Sequence, residues 1–403
     1  MTQEVSVDST APQFGPPQGE QELAAADDIV SQSFGMAPEE MHPWRQKVEA
    51  GGGQLKVLRE GGSVAATSVL IPMGQWFGGH RVPMVGIGGV GVAPARRGQG
   101  TATRLMQAAL REIRGQGIPL SSLYPATQPL YRRVGFEQAG SRFELRAQVS
   151  GLGFHERTLS LRPVEASDLP AIHEVYRRYA QRQQGWLDRT AYIWNRVTHP
   201  KGETAYGYLV EGAAGVEGYL YLTRRPLQPR DLRQELNLTD VVALTPAAGR
   251  RLLSFIGDHG SLATEVVWRG GPADPLLFLV REQTYQVKSL FQWMLRVLDV
   301  PAALQARGYP AGHSGALHLE VDDDLFPENR GRFVLEVDNG EAEVRPGGDG
   351  DMKLHVRALA ALYSGFLSPD ALRFSGALEA DEVSLRTASA LFAGPPPAMP
   401  DMF

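Results

Sequence analysis

A glycine- and arginine-containing turn joins an apolar strand to an amphipathic helix in the first third of the sequence. The strand is predicted over residues 81–92, and the turn Arg-Arg-Gly-Gln-Gly occupies residues 96–100. After the turn, apolar residues repeat with helical spacing at Leu105, Met106, Ala109, Leu110 and Ile113. Further short strands flank this unit on both sides. The order of elements predicts a mixed α/β sheet with one main crossover helix.

The turn has the chemistry of an anion-binding site. Backbone N–H groups at the start of a helix have no partner inside the helix, and the helix dipole is positive at that end. Gly98 and Gly100 let the backbone approach a pyrophosphate closely, and Arg96 and Arg97 add positive charge. Taken alone, this stretch fits equally well an ordinary strand-to-helix turn with solvated arginines.

A second glycine pattern, at residues 86–91, matches the spacing G-x-G-x-x-G. A dinucleotide-binding turn must lie between a strand and a helix, whereas these glycines lie within the predicted strand. We therefore exclude that reading and interpret the glycines as a β-bulge, which leaves backbone donors free.

Residues 97–102 (Arg-Gly-Gln-Gly-Thr-Ala) resemble the acetyl-CoA-binding motif of the GNAT superfamily. Residues 129–136 (Pro-Leu-Tyr-Arg-Arg-Val-Gly-Phe) resemble a later segment of the same superfamily, in the right order. The resemblance implies that strand N–H groups polarise the thioester and that two residues after the next strand line the pantetheine arm. The implied cofactor-binding residues are Val90, Gly91, Val92, Arg97, Gly98, Gln99, Gly100, Thr101, Ala102, Thr103, Ala126 and Thr127.

Nearly the whole chain resembles the enhanced intracellular survival (Eis) family. Residues 293–304 resemble the family's entry into its third domain, and residues 401–403 (Asp-Met-Phe) resemble its characteristic terminal phenylalanine. The resemblance implies tandem GNAT domains, the second degenerate, followed by a sterol-carrier-protein-like α/β domain. The sequence departs from the family at Gly98 and Gln99, where members often have arginines.

The resemblance also implies the catalytic pair. The α-carboxylate of Phe403 is the base and Tyr131 the proton donor. The alternatives are a packed aromatic side chain at Tyr131 and a frayed chain end at Phe403. Four prolines in residues 394–403 stiffen the tail and favour a docked end. Trp44 is interpreted as a core residue near the acceptor pocket.

Four segments are predicted. They are a disordered tail (1–20), a catalytic GNAT domain (21–150), a degenerate GNAT-like domain (151–290) and a sterol-carrier-like domain (291–403). Residues 245–250 replace the phosphate turn in the second domain and contain one glycine, so we expect no acetyl-CoA there. A helix is predicted over residues 289–298, and Asp338-Asn339-Gly340 predicts a hairpin turn.

Composition narrows the function further. The chain has no cysteine, and His313 and His318 lack companion ligands, so we expect no metal. Asp322-Asp323-Asp324 is read as a solvated turn. A net charge of −5 argues against general nucleic-acid binding. Residues 301–403 carry 8 Lys+Arg and 16 Asp+Glu, an acidic bias that would attract a cationic ligand or simply aid solubility.

The resemblance to the Eis family implies an acetyl-CoA-dependent N-acetyltransferase of primary amines on cationic, multi-amine substrates such as aminoglycosides, or on lysine side chains. We expect a cytoplasmic protein without a membrane segment or secretory signal. The resemblance implies a homohexamer. The alternative is a non-catalytic lipid or acyl carrier that uses the sterol-carrier-like domain.

Overall fold

A computed structural model describes residues 11–403. The predicted disordered tail, residues 1–20, lies partly outside this range, and its described part corrects the prediction. Residues 13–15 pair with the second strand, and Phe14 packs against the buried Leu58 and Leu105. This short apolar contact orders a segment whose Pro- and Gln-rich composition predicts disorder.

The first domain contains a mixed sheet crossed by one long helix. Its strands are β1 (Gln13–Gly15), β2 (Gln54–Glu60), β3 (Ser63–Phe77), β4 (His80–Val92), β5 (Leu120–Leu123) and β6 (Glu137–Gln148). Its helices are α1 (Gly19–Phe34), α2 (Pro38–Ala50), α3 (Thr101–Gly115) and α4 (Gln128–Arg132). Helix α3 connects the parallel strands β4 and β5, and its five predicted apolar residues are all buried. The crossover unit predicted from the sequence is confirmed.

The second domain repeats this order. Its strands are β7 (Ser160–Pro163), β8 (Leu187–Asp188), β9 (Tyr206–Gly212), β10 (Gly215–Pro226), β11 (Gln234–Ala243), β12 (Ala263–Gly270) and β13 (Tyr285–Val297). Its helices are α5 (Leu169–Ala180), α6 (Ala191–Thr198), α7 (Pro246–Gly257) and α8 (Pro275–Leu279). Helix α7 connects the parallel strands β11 and β12, as α3 connects β4 and β5. The internal duplication is therefore visible in the fold.

The two domains exchange their last strands. β13 lies between β5 and β6, and β6 pairs on its other edge with β12, so one 13-stranded sheet runs through both domains. The prediction of a helix over residues 289–298 is wrong. Over residues 293–297 both faces of this strand are buried, with Trp293, Met294 and Leu295 all 0% exposed. A continuous apolar run of this kind does not distinguish a strand from a helix. A domain boundary at residue 290 would cut this strand.

The third domain packs helices on a second sheet. Its strands are β14 (Gly315–Asp322), β15 (Gly331–Asp338), β16 (Glu341–Pro346), β17 (Met352–His355) and β18 (Leu378–Ala380), in the order β16-β15-β14-β17-β18. Its helices are α9 (Val300–Ala306), α10 (Val356–Ser364), α11 (Pro369–Phe374) and α12 (Glu382–Leu391). The predicted hairpin turn joins β15 to β16, with positive φ at Asn339 and Gly340. None of the described helices is long and apolar enough to cross a membrane.

A buried ion pair ties the third domain to the shared sheet. The Arg296 guanidinium in β13 donates to both oxygens of Asp323 at 2.7 Å, and both side chains are at most 1% exposed. The reading of residues 322–324 as a solvated turn is therefore wrong for Asp323. Helix α10 packs against β6 and β13 and has buried residues on all its faces. The third domain is therefore attached to the 13-stranded sheet by both a buried ion pair and helix packing.

Candidate active site

Strands β4 and β5 separate beside the glycine turn. They pair only through residues 84–86 and 120–122, after which β4 continues to Val92 beside β3 alone. One edge of residues 87–92 therefore has no strand partner in the described chain. The opening places the backbone of Val90, Gly91 and Val92 next to the start of α3, where the resemblance assigns the thioester.

A β-bulge interrupts β4 within the glycine run, as predicted. Thr67 pairs with Gly91 whereas Val69 pairs with Gly88, so β4 has one extra residue here. Gly89 has φ +57° and its carbonyl accepts from the Thr67 hydroxyl at 3.2 Å. A bulge of this kind turns backbone groups out of the ladder, towards the opening between the strands.

The turn from β4 to α3 has the geometry that the sequence indicates. Gly98 and Gly100 have φ +75° and +78°, a conformation that favours glycine, and no atom lies within 4 Å of where a Cβ of Gly98 would stand. The side chains of Arg97 and Gln99 are exposed and donate to Val92 and Ala95 carbonyls at 3.3 and 2.9 Å. The first N–H groups of α3 remain open to an anion.

Thr101 differs from the other predicted cofactor residues because its side chain is buried. Its hydroxyl donates to Glu60 at 3.2 Å, and the guanidinium of Arg104 donates to the same carboxylate oxygen at 3.0 Å. The hydrogen bond from Arg104 lowers the pKa of Glu60, which therefore stays charged. Thr101 can offer an anion only its backbone N–H. Glu60, which the sequence analysis missed, fixes the first turn of α3.

The remaining predicted cofactor residues border the same opening. Ala102 and Thr103 are half-buried in the first turn of α3. Ala126 and Thr127 are exposed in the loop after β5, on the other side of the split between the strands. The structure brings all twelve predicted residues to the two sides of one opening.

Tyr131 is packed against the core and keeps its phenolic proton. Its side chain is 5% exposed, and its ring contacts Phe136 edge-on, with centroids 6.1 Å apart. Burial raises the pKa of Tyr131 to about 12, so the phenol keeps its proton at neutral pH. The packed-aromatic alternative therefore describes its environment without removing the hydroxyl as a donor.

The last residue of the chain lies against β4 at the glycine run. A Cβ on Gly86 would lie 2.6 Å from the Phe403 ring, and a Cβ on Gly88 would lie 3.6 Å from its carboxyl carbon. The ring also meets Tyr124 at a centroid distance of 5.9 Å. The glycines thus make room for the chain end as well as for the bulge. The frayed-end alternative does not describe this structure.

Backbone hydrogen bonds hold the tail that leads to Phe403. Ala398 N donates to the Gln184 carbonyl at 3.0 Å, and Met399 N donates to the Ser141 carbonyl at 3.1 Å. The hydroxyl of Tyr124 donates to the Asp401 carbonyl at 2.8 Å. The tail therefore touches both N-terminal domains before it reaches β4.

A buried charge network anchors the side chain of Asp401. Arg189, which is 1% exposed on its side chain, contacts Asp401 at 2.9 Å and also pairs with Asp240. The guanidinium stacks on the Tyr176 ring at 3.9 Å, and the Tyr219 hydroxyl donates to Asp240 at 2.7 Å. Sequence reasoning missed this network. Its one local signal is an acidic residue two positions from the end of an apolar tail.

A cleft of about 810 Å³ adjoins the tail. Helices α2 and α6, strands of the second domain and residues 400–402 line it. Trp44 is half-buried, packs on the core and also lines the cleft, where its ring comes close to Gly89 of the bulge. Trp44 therefore belongs to the core and to the cleft wall at once.

The corresponding turn of the second domain is closed. Thr245 caps α7 by accepting from Ala248 N at 3.2 Å. A Cβ on Gly249 would lie 2.8 Å from Leu279, because α8 packs over the first turn of the helix. This packing supports the prediction that the second domain binds no acetyl-CoA.

Two groups of acidic residues and histidine lie on the third domain. They are His318 with Asp349 and Asp351, and His355 with Asp322 and Asp324. Their carboxylates are exposed, and exposed acidic groups gather in this way without an ion. Neither group contributes to the opening beside α3 or to the cleft.

A strand, a glycine turn and a helix lie beside a split parallel pair in the first domain, and the strand–helix–strand unit recurs in the second domain without the glycine turn. This arrangement defines a tandem GNAT acetyltransferase. Family models agree with this class. Two models described as acetyltransferase (GNAT) domain match residues 17–139 and 185–297, and a sterol carrier protein domain matches residues 300–400. The enzyme class and the fold class predicted from the sequence are confirmed.

Full-length relatives narrow the class. An uncharacterized N-acetyltransferase of Streptomyces griseus is 31% identical over 81% of this chain and 83% of its own length. N-acetyltransferase Eis of Mycobacterium tuberculosis is 27% identical over 90% of this chain and 92% of its own. A GCN5-related N-acetyltransferase structure from Anabaena variabilis matches with TM-score 0.92 and 38% identity, covering 98% of this chain and all of that one. The chain belongs to the Eis-like family of GNAT N-acetyltransferases.

Proposed function

We propose that this chain acetylates primary amines with the Phe403 α-carboxylate as base and Tyr131 as acid. Acetyl-CoA, when bound, supplies the thioester whose carbonyl reacts with the amine. The α3 N–H groups and Gly98 would hold the pyrophosphate, and the free edge of residues 90–92 would donate to the thioester oxygen. The observation that carries the proposal is the docking of the chain end against the bulge in β4.

The two catalytic groups need different properties from their surroundings. A free alkyl amine titrates near about 10, so a base must take its proton, and an exposed chain-terminal carboxylate titrates near about 3.5. Phe403 is partly buried beside β4, and its carboxylate, as an anion, can hold the ammonium and accept its proton. Tyr131 keeps its proton more tightly than a thiol does, so its donation to the leaving sulfur begins as a hydrogen bond.

Thiol release from acetyl-CoA tests the reaction and the base together. The native chain is compared with one extended by Gly-Ser after Phe403, across aminoglycosides, lysine peptides and small amines. Each added residue moves the carboxylate by about 3.5 Å, beyond hydrogen-bond reach. We expect turnover in the native chain and a loss of about 100-fold or more in the extended one. A chain extended by the same residues at its N-terminus is the control.

The other outcomes separate the parts of the proposal. Equal turnover in both chains would keep the acetyltransferase and remove Phe403 from the mechanism. No turnover with any amine would favour the lipid or acyl carrier. Against the carrier, α10 fills the centre of the third domain with buried side chains. Stoichiometric lipid extracted from the purified protein would support it.

The acceptor and the assembly are further proposals. Aminoglycosides and lysine side chains are the acceptors that the family resemblance suggests, and the panel above includes both. The resemblance also suggests a homohexamer of the 43.9 kDa chain, which light scattering measures directly.

A further inference from the structure

The cleft beside the tail carries more positive than negative charge. The basic residues in its lining are Lys47, Arg142, Arg196, Lys201, Arg225 and Arg269, and the acidic ones are Glu39, Glu40 and Asp401. Two of the three carboxylates are already engaged. Asp401 pairs with the buried Arg189, and Glu40 accepts from Ala37 N at 2.9 Å and caps its own helix. The charge left for a ligand is therefore positive.

Three of these arginines come from neighbouring strands of the shared sheet. Arg142 lies on β6, Arg269 on β12 and Arg225 on β10, and Asn237 of the intervening β11 lines the same cleft. They are close enough to interact. Burial and the charges of Arg142 and Arg225 together lower the pKa of Arg269 to about 10, although the charges of Glu144 and Glu235 act in the opposite direction. Such a cluster is costly unless an anion neutralises it.

The protein itself supplies little neutralisation. Glu144 contacts Arg269 at 3.2 Å but also pairs with Arg146. Within residues 11–403, no carboxylate lies within 4.0 Å of Arg142 or Arg225. The Nε atom of Arg269 is buried without an acceptor in that same range. These guanidinium groups have donors to spare at the wall of the cleft.

The position of the cluster connects it to the chain end. The Nε atom of Arg142 donates to the Pro400 carbonyl at 2.9 Å, three residues before Phe403. An anion held by Arg142 would therefore lie beside the tail that carries the base. Resting on the acetyl transfer proposed above, we propose that the acceptor is a primary amine that also carries a carboxylate or phosphate. Arg142, Arg225 and Arg269 bind that anion.

The chemistry of both partners fits this assignment. A guanidinium binds a carboxylate or phosphate with two parallel hydrogen bonds, which fixes both position and orientation. A polycation in the same cleft would meet charges of its own sign, which disfavour it. The cluster thus selects zwitterionic or acidic amines over aminoglycosides.

Matched acceptor pairs test the selection by turnover. The pairs are β-alanine with β-alaninamide, for a carboxylate, and O-phosphoethanolamine with ethanolamine, for a phosphate; kanamycin is the polycation. We expect the anionic member of at least one pair to have a kcat/KM at least tenfold above its neutral partner and above kanamycin. The pair that shows the gap identifies the anion. A neutral member or kanamycin that matches the anionic amine would overturn the proposal.

Two variants test whether the three arginines cause the difference in kcat/KM between anionic and neutral amines. Arg225→Gln changes an exposed side chain, so folding is preserved, and we expect it to remove about tenfold of the preference. Arg224→Gln is the control, because this neighbour on β10 lies against Tyr206 and outside the cleft. An unchanged preference in Arg225→Gln, or an equal loss in both variants, would contradict the assignment.

Calorimetry separates this proposal from the reaction itself. O-phosphoethanolamine and β-alanine are titrated into native protein saturated with coenzyme A, which fills the pyrophosphate site and prevents turnover. Binding that weakens in Arg225→Gln but not in Arg224→Gln would support the anion site even if no amine were acetylated. Turnover of neutral amines without any such binding would retain the enzyme and refute the site.

Discussion

Asp401→Asn tests whether the buried network holds the chain end in place. The substitution keeps the shape of the side chain and removes one of the two carboxylates around Arg189. A hydrogen bond to a charged group contributes roughly 1.5–3 kcal/mol, and Arg189 makes more than one to Asp401. Because Asp240 still pairs with Arg189, we expect the variant to lose about 2–3 kcal/mol of the free energy that docks the C-terminal tail.

This loss predicts a measurable opening of the tail. At about 1.4 kcal/mol per factor of ten, the docked-to-undocked ratio falls roughly 30- to 150-fold. A carboxypeptidase can release Phe403 only from the undocked end, and its rate follows the undocked population when docking is fast. We therefore expect release of Phe403 to accelerate by a similar factor, with a parallel loss of acetyl transfer as Phe403 is removed.

A matched variant separates the tail from general stability. Asp240→Asn takes the other carboxylate from the same arginine but leaves the tail contact intact. It should lower the free energy of unfolding in urea and accelerate release of Phe403 much less. If release in Asp401→Asn stayed within threefold of the native rate, the network would not be what docks the chain end.

Four further predictions follow from single residues. Tyr131→Phe keeps the packed ring and should lower kcat about 100-fold with little change in coenzyme A affinity by calorimetry. Gly98→Ala has space for its Cβ but φ +75°, so it should cost about 1 kcal/mol of stability and raise the KM for acetyl-CoA in steady-state assays. Burial raises the pKa of Asp274 to about 6, so between pH 4 and 6 the folded state holds a proton that the unfolded state has lost. The free energy of unfolding in urea should therefore fall by about 2–3 kcal/mol as the pH rises from 4 to 6. Asp274→Asn should remove this pH dependence. Arg296→Met leaves Asp323 buried without its partner and should lower the free energy of unfolding by about 3–5 kcal/mol, whereas an unchanged urea midpoint would contradict that pairing.

The cofactor side of the site could be predicted because its determinants are local. The strand, the turn at residues 96–100 and the helix that follows all lie within residues 81–115, and each has a clear sequence pattern. Positive φ at Gly98 and Gly100 and the bulge at Gly89 follow from the same short stretch. Tyr131 and Phe403 came from the family resemblance, and their catalytic roles remain predictions.

The acceptor side could not be predicted because its contacts join distant parts of the chain. Arg189 and Asp401 are 212 residues apart, and Arg142 reaches the tail across 258. The prediction of a cationic acceptor drew on the family resemblance and on the acidic composition of residues 301–403. In the structure, the first two domains supply most of the cleft wall, and that domain contributes only residues 400–402. The net charge of a domain does not give the charge of a cleft to which that domain contributes only a few residues.

The crossed placement of β6 and β13 explains why the duplicated second domain is retained although its own cofactor turn is closed. The first domain alone would leave β5 without the neighbour that β13 provides, and this edge of the sheet, beside the proposed site, would be open to misassociation. Each domain therefore depends on a strand that belongs to the other. Because the strands are exchanged, neither copy could be deleted without breaking the sheet of the other.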